Sequence, residues 1–223
     1  MARPWTESPI HFIDFEGSLG SGIVEFGVVT LYGGKVSATR SGICAPTGFL
    51  PPEDTAVHGL GSAQLAGHPP FRSEWEYFAG LRQTGPFAAH FAGVENSLLK
   101  NVWPFARPSP DFVHGSGPTV EWGPWIDSAR LYAQDGLAAG SLRLAALIET
   151  VELQPELNRL AALHCPAERR HYHAALYDAL ASALLVSALA RLPKYAQLTV
   201  GHLVLLSTAD PDKREALIQP ELF

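Results

Sequence analysis

Apolar and polar positions change rhythm several times along this chain, and each change marks an element. Residues 10–16, IHFIDFE, are mostly apolar and rich in β-formers, the pattern of a buried central strand. The run GIVEFGVVTLYGGKVSATRSGI follows, and Gly33 and Gly34 between its two β-prone halves predict a hairpin. PPEDTAVHGLGSAQLAGHPPF is loop-rich with a short helical piece, and RSEWEYFAGLRQ then sets Trp75, Phe78 and Leu81 on one side of a helix. PFAAHFAG predicts a second buried strand, and VENSLLKNVW a helix after it. Residues 104–124 are rich in Pro and Gly and predict loop, after which WIDSARLYA opens as a short strand.

From Ser141 onward the period is helical, through SLRLAALIETVE, PELNRLAAL and the long Ala/Leu-rich ALYDALASALLVSALARL. The Ala/Leu stripe from Leu176 to Leu192 reads as core packing, its small residues letting the helix lie close to a sheet. The tail carries LTVGHLVLL, which predicts a strand, and then a polar end. Strands alternating with helices after an initial hairpin predict an α/β fold, a mixed sheet with helices on both faces. No convincing linker interrupts the chain. One domain over residues 1–195 with a C-terminal extension over 196–223 is the expected organisation.

Composition narrows the class. The chain has 223 residues, 47% apolar and 17% charged, as in an ordinary soluble globular protein. No apolar run approaches the roughly 18–20 residues needed to span a bilayer. The start, MARPWTESPI, lacks the apolar stretch of a secretory signal. Cys44 and Cys165 lie far apart, which fits a reduced, cytoplasmic setting without a structural disulfide or a membrane. A net charge of −6 argues against a protein that grips long duplexes by bulk attraction. It leaves room for an enzyme that holds a few terminal nucleotides beside bound cations.

The chemistry centres on HFIDFEGSLGSG. Its glycines form G-x-x-G-x-G and precede a strand, IVEFGVVTL, whereas a phosphate loop needs a helix N-terminus immediately after it. Those glycines therefore read as a flexible connection between two strands. Asp14 and Glu16, two residues apart on a strand, point to the same face. Two carboxylates so close on an apolar strand are costly unless compensated. Mg²⁺ or Mn²⁺ would compensate them; a strand end open to water is the other reading. Far along the chain, RRHYHAALYDALASALL holds His173 and Asp178. Five residues apart on one straight helix, they would splay about 140° apart. To share a site, His173 must precede the helix that carries Asp178, which would place its imidazole on a movable segment, as suits a general base.

With these residues in place, the chain resembles the DEDDh branch of the 3′–5′ exonucleases, the DnaQ-like group, over residues 10–192. IDFEGS is similar to that family's first motif, IVEFGVVTLYGGKV to its hairpin, and LPPEDTAVHGLGSAQLAGHPPF, with His58 and Gly59, to its connecting segment. AAHFAGVENSLL stands at the second motif, WIDSARLYA at the strand after it, and RRHYHAALYDA at the third. The resemblance implies a ribonuclease-H-like, mixed five-stranded sheet flanked by helices. It implies a two-metal hydrolysis of terminal phosphodiesters at single-stranded DNA or RNA 3′ ends, with two divalent cations, Mg²⁺ or Mn²⁺. Asp14, Glu16, Glu95 and Asp178 would be metal ligands, His173 the base, and Phe15, Gly17, Ser18 and His58 the substrate contacts. Many members dimerise, and a homodimer is compatible with the resemblance.

One departure stands out. The family's second motif reads His-Asn-x-x-Phe-Asp, and here it is His90-Phe91-Ala92-Gly93-Val94-Glu95. Glutamate keeps the charge but lengthens the arm by one methylene, about 1.5 Å of bond. All four acidic charges and the histidine remain, which favours a working enzyme. The alternative is a catalytically weak or inactive module of this fold that binds nucleic acid or a protein partner. Glu95 also suits a plain helix start, His90 a structural hydrogen bond, His58 a turn cap, and Glu25 a structural or exposed place. His164, Cys165, His171 and His173 lack the paired spacing of a zinc site.

Overall fold

A computed structural model describes residues 3–208 apart from 114, 116, 135 and 139. Its central strand is β1 (Ile10–Ser18), which pairs antiparallel with β2 (Gly22–Tyr32). β2 turns through Gly33 and Gly34, both at positive φ, into the antiparallel β3 (Lys35–Ile43). On its other side β1 runs parallel to β4 (Phe87–Ala89), and β4 parallel to the two-residue β7 (Ile126–Asp127). The sheet order is β3-β2-β1-β4-β7, a mixed five-stranded sheet as expected. Residues 104–124, expected as loop, include a small ladder of β5 (Ser109–Pro110) and β6 (Pro118–Thr119).

Strand periodicity divides the core. Ile10 and Phe12 of β1, with Val29 and Leu31 of β2, pack on one face against α8 (Ala175–Leu189) and the helices outside it. Those are α5 (Ser128–Gln134), α6 (Leu144–Thr150) and α7 (Gln154–His164). Ile13 and Phe15, one residue out of phase, pack with Phe26 and Val28 on the opposite face. There they meet α3 (Trp75–Thr84) and α4 (Ala92–Val102), with Phe71, Trp122 and Trp125. The loop-rich connection after β3 carries the short helices α1 (Pro52–His58) and α2 (Ser62–Leu65).

Helix α8 has no side-chain cap, and tertiary burial holds it instead. A cap contributes about 1 kcal/mol, whereas each fully buried Leu or Val contributes about 1.5–3 kcal/mol. Six of them, Leu176, Leu180, Leu184, Leu185, Val186 and Leu189, are buried here. Its close approach to the sheet depends on Gly27, where a Cβ would lie 2.3 Å from the Ala175 carbonyl carbon and the Leu176 nitrogen. That glycine sits opposite Asp14 in the β1–β2 register.

The tail corrects one expectation. LTVGHLVLL is not a strand: after α9 (Pro193–Ala196) it folds as α10 (Val200–Ser207). Val200, Leu203, Val204 and Ser207 are buried at helical spacing, and the Thr199 hydroxyl accepts from the His202 N–H. α10 packs on α5 and β7, and the Trp5 indole donates to the Tyr195 carbonyl at 3.0 Å. The polar end expected beyond it falls outside the described residues. Among the described residues, no helix is long and apolar enough to cross a membrane.

Candidate active site

On the α8 face of β1 the row that begins Ile10, Phe12 continues as Asp14, Glu16. The apolar half lies under the body of α8 and the acidic half under its N-terminal end. Glu16 is buried and Asp14 half-buried. Directly after Glu16 the β1–β2 register shifts, and Gly17 adopts a φ of 122°. A Cβ at Gly17 would lie 2.2 Å from the Gly22 carbonyl oxygen, so only glycine allows the strand to leave the site there.

The third acid arrives with α8. Asp178, in its first turn, is buried, and its Oδ2 accepts from the His173 backbone N–H at 2.9 Å. His173 stands before the helix, as its spacing required, in the left-handed region at φ 63° with its side chain exposed. Ligand atoms of Glu16, His173 and Asp178 all lie within 4.8 Å of one another.

The fourth acid comes from α4. Glu95, in the first turn, is 5% exposed and faces the Phe15 backbone N–H, between Asp14 and Glu16. The start of α4 is held by Asp127 at the end of β7. Its two oxygens accept from Phe91 N at 3.2 Å and Ala92 N at 3.1 Å. Asp127 Oδ1 also accepts from Ala129 and Arg130 at the start of α5. Phe91 itself is left-handed, at φ 56°.

Four acids this close oppose one another's ionisation. Burial, then Asp178 and Glu25, push Glu16 up to about 8 against the pull of Arg169. Burial raises Asp178 to about 7, although the His173 N–H favours its charged form. Asp14 stands well above the carboxylate range through burial and then the charges of Glu95, Asp178 and Glu16. Glu95 does so through burial and then Glu16. Glu95 Oε2 and Asp178 Oδ1 are buried without a hydrogen-bond partner. Unpartnered hard oxygens in a mutually repelling cluster fit a divalent cation such as Mg²⁺ or Mn²⁺. Glu95 feels the charges of Glu16 and Asp178, while the groups whose ligand atoms lie together are Glu16, His173 and Asp178.

The expected substrate contacts are placed unevenly. Gly17 and Ser18 line the turn beside Glu16, and the Ser18 hydroxyl bonds that of Ser21 at 3.0 Å. The Phe15 ring is in the core against Phe71 and Phe78, leaving its backbone N–H on the site's side. The His58 ring is buried too, its Nδ1 accepting from Leu60 N at 3.1 Å in a turn cap, and burial lowers its pKa. Both rings are occupied in packing or capping because their strand and helix direct them inward. His90 bonds Ser128 Oγ and the Leu142 carbonyl, a structural place.

Sequence reading missed two anchors. Asp127 does not stand out in the sequence, where WIDSARLYA reads only as the opening of a strand, although an Asp before a helix is a cap signal. Glu25 is not exposed: it forms a buried ion pair with Arg169.

No protein-family model matches this chain, and no curated protein matches it. Solved structures do. Exonuclease X in complex with 5′-overhanging duplex DNA has a TM-score of 0.61 at 22% identity, covering 87% of this chain and 99% of that one. E. coli exonuclease I in complex with a dT13 oligonucleotide has a TM-score of 0.59 at 12% identity, covering 82% of this chain and 41% of that one. A 3′-exonuclease described for 3′-end-specific recognition of a histone mRNA stem-loop has a TM-score of 0.59 at 14% identity, covering 86% and 85%. The chain thus spans less than half the length of exonuclease I. These likenesses establish the ribonuclease-H-like exonuclease fold.

Proposed function

We propose that this protein is a divalent-metal-dependent 3′–5′ exonuclease that hydrolyses terminal phosphodiesters of single-stranded DNA or RNA. Residues 1–195 are its catalytic unit and 196–223 an extension. The observation that carries the reading is the meeting of Glu16, His173 and Asp178, whose ligand atoms lie within 4.8 Å of one another, with Asp14 and Glu95 near enough to feel the charges of this group. Those four carboxylates are the groups that would hold Mg²⁺ or Mn²⁺. The chemistry such a pair of ions would supply there is polarisation of the phosphate and an offset to the charge that builds on it.

The chain's own groups do the rest. His173 takes the proton from a water as its oxygen forms the new bond to phosphorus. The bond from phosphorus to the 3′ oxygen of the preceding nucleotide breaks, that oxygen keeps the electron pair and takes a proton from solvent, and a nucleoside 5′-monophosphate is released. The backbone at Gly17 and Ser18 lies against the last nucleotide, and the absent side chain at Gly17 leaves room for it. Asp178 fixes the His173 peptide through its N–H, and Asp127 fixes the start of α4 and with it Glu95.

The likeness to DNA-bound and RNA-recognising exonucleases supports the substrate class. Single-stranded oligonucleotides of DNA and of RNA, labelled at the 5′ end, should shorten stepwise with Mn²⁺ or Mg²⁺. No shortening of either with either ion would overturn the proposal.

A further inference from the structure

Arg169 lies in a single turn of 3-10 helix, Ala167–Arg169, between α7 and α8. Its side chain is 10% exposed and that of its partner, Glu25 on β2, 4%. The guanidinium Nε donates to Glu25 Oε1 at 3.1 Å, and Nη2 donates to Glu25 Oε2. Nη1 donates to the His58 carbonyl at 2.6 Å, and Nη2 also to the His173 carbonyl at 3.1 Å. Glu25 Oε2 accepts in addition from the Ala175 N–H at 3.2 Å. One buried pair thus joins β2, the end of α1 and the turn that carries His173 into α8.

Stability alone gives a poor reason for such a pair. Desolvating two charges costs several kcal/mol per ion, and well-packed apolar side chains of similar volume are often as stable or more so. An apolar pair could not hydrogen-bond two carbonyls and an amide in fixed directions. Lysine could not either, because it lacks the planar fork of donors. The residue receiving this hold needs it: His173 is a non-glycine residue in the left-handed region, which surrounding structure must enforce. Its peptide groups are clasped from both sides, N–H to Asp178 and carbonyl to Arg169, while the imidazole stays exposed.

We infer that Arg169 and Glu25 are positioning residues that lock the His173 turn and so set the imidazole against Glu16 and Asp178. This deepens the nuclease reading and rests on it for its kinetic part. The pair acts through His173 and touches no reacting atom.

The test replaces both charges together, Glu25→Met with Arg169→Met, so that neither is left buried alone, and adds Arg169→Lys as a charge-retaining variant. Each is compared with the wild type for denaturant midpoint, Mn²⁺ binding by calorimetry, amide exchange at His173, and hydrolysis of a single-stranded oligonucleotide. The double variant should unfold at a lower denaturant concentration than the wild type, because two carbonyls and an amide lose their partners, yet still fold and bind Mn²⁺ as the wild type does. Its His173 amide should exchange at least about tenfold faster. Its kcat should fall about 100-fold with KM unchanged, the size expected of an ångström-scale misplacement. Arg169→Lys should fall between, and it supplies the same readouts if the double variant does not fold. Exchange and kcat that both stay at wild-type values overturn the inference, as does either moving without the other. A wild type that shortens no oligonucleotide removes the nuclease reading, and exchange at His173 still decides whether the pair locks the turn.

Discussion

Helices α4 and α8 each deliver a first-turn acid to β1, and they are held there by opposite means. α8 is buried along nearly its whole length, touches β2 at Gly27 where no Cβ would fit, and has no side-chain cap. α4 buries only Ala92, Glu95, Leu98 and Leu99, leaves Val94 58% exposed, and hangs its start on Asp127. α8 packs on β1, β2, β3 and β4 and on α5, α6 and α7, whereas α4 packs on β1, β2 and β4. The glutamate at 95, which with Phe91 in place of the Asn sets this chain apart from the exonucleases' second motif, falls on the less buried helix. A longer arm is accommodated more readily on that less buried helix than at Asp178, whose helix is buried along nearly its whole length.

The largest effect breaks both sides at once. Asp14→Asn or Asp178→Asn should reduce hydrolysis to background, measured on a labelled oligonucleotide with Mn²⁺. The same variants should raise the thermal midpoint of the metal-free protein, because each removes one of the charges that repel in the cluster. Lost activity with a lowered midpoint would mean that the variant damages the fold and says nothing of the ions. The next experiment separates the helices. Asp178→Glu should cost about 100-fold in kcat, since α8 cannot retreat. Glu95→Asp should stay within about tenfold, the lower bound for perturbing a group near a metal. Equal losses would remove the distinction.

How much of this was legible depends on the range of each cause. Strand period is local, so the split of β1 into an apolar and an acidic half could be read from residues 10–16, and with it the two carboxylates that need compensation. The place of His173 before the helix followed from its distance to Asp178. Long-range partners were not legible. Glu25 read as structural or exposed because its guanidinium stands 144 residues away. Asp127 went unread because the partner it holds at Ala92 lies 35 residues back. Residues 198–206 misled through β-branched content, while the burial spacing that makes them helical depends on what α10 packs against.

Stability variants probe the same contrast at smaller scale. Gly27→Ala pushes a methyl into the α8 backbone and should cost about 1–3 kcal/mol by denaturant unfolding, with hydrolysis falling alongside. Asp127→Ala removes the cap of α4 and that of α5 and should cost about 1–2 kcal/mol. Its kinetic loss should be smaller than that of Gly27→Ala, because α4 tolerates re-aiming. A larger loss from Asp127→Ala would reverse the ranking of the two anchors.

The smallest effect is a slope with pH, and its sign is fixed by the raised carboxylates. In the metal-free fold Glu16 holds its proton up to about 8 and Asp178 up to about 7, against ordinary values of 4.5 and 3.8. At pH 3 and below, both groups are protonated folded and unfolded, so their contribution to stability is complete. Above those ordinary values the unfolded chain loses its protons while the fold retains them, so each rise in pH favours unfolding. The loss accumulates until about pH 8 and then stops, because both states are ionised. The thermal midpoint of the metal-free protein should therefore fall from about pH 5 to about pH 8. Added Mn²⁺ should flatten the slope by binding the charged carboxylates. Asp178→Asn and Glu95→Gln should each flatten it, since each removes a carboxyl whose ionisation the fold opposes. A slope left unchanged by both variants, or a midpoint that rises across this range, would show that these acids do not crowd one another in the fold.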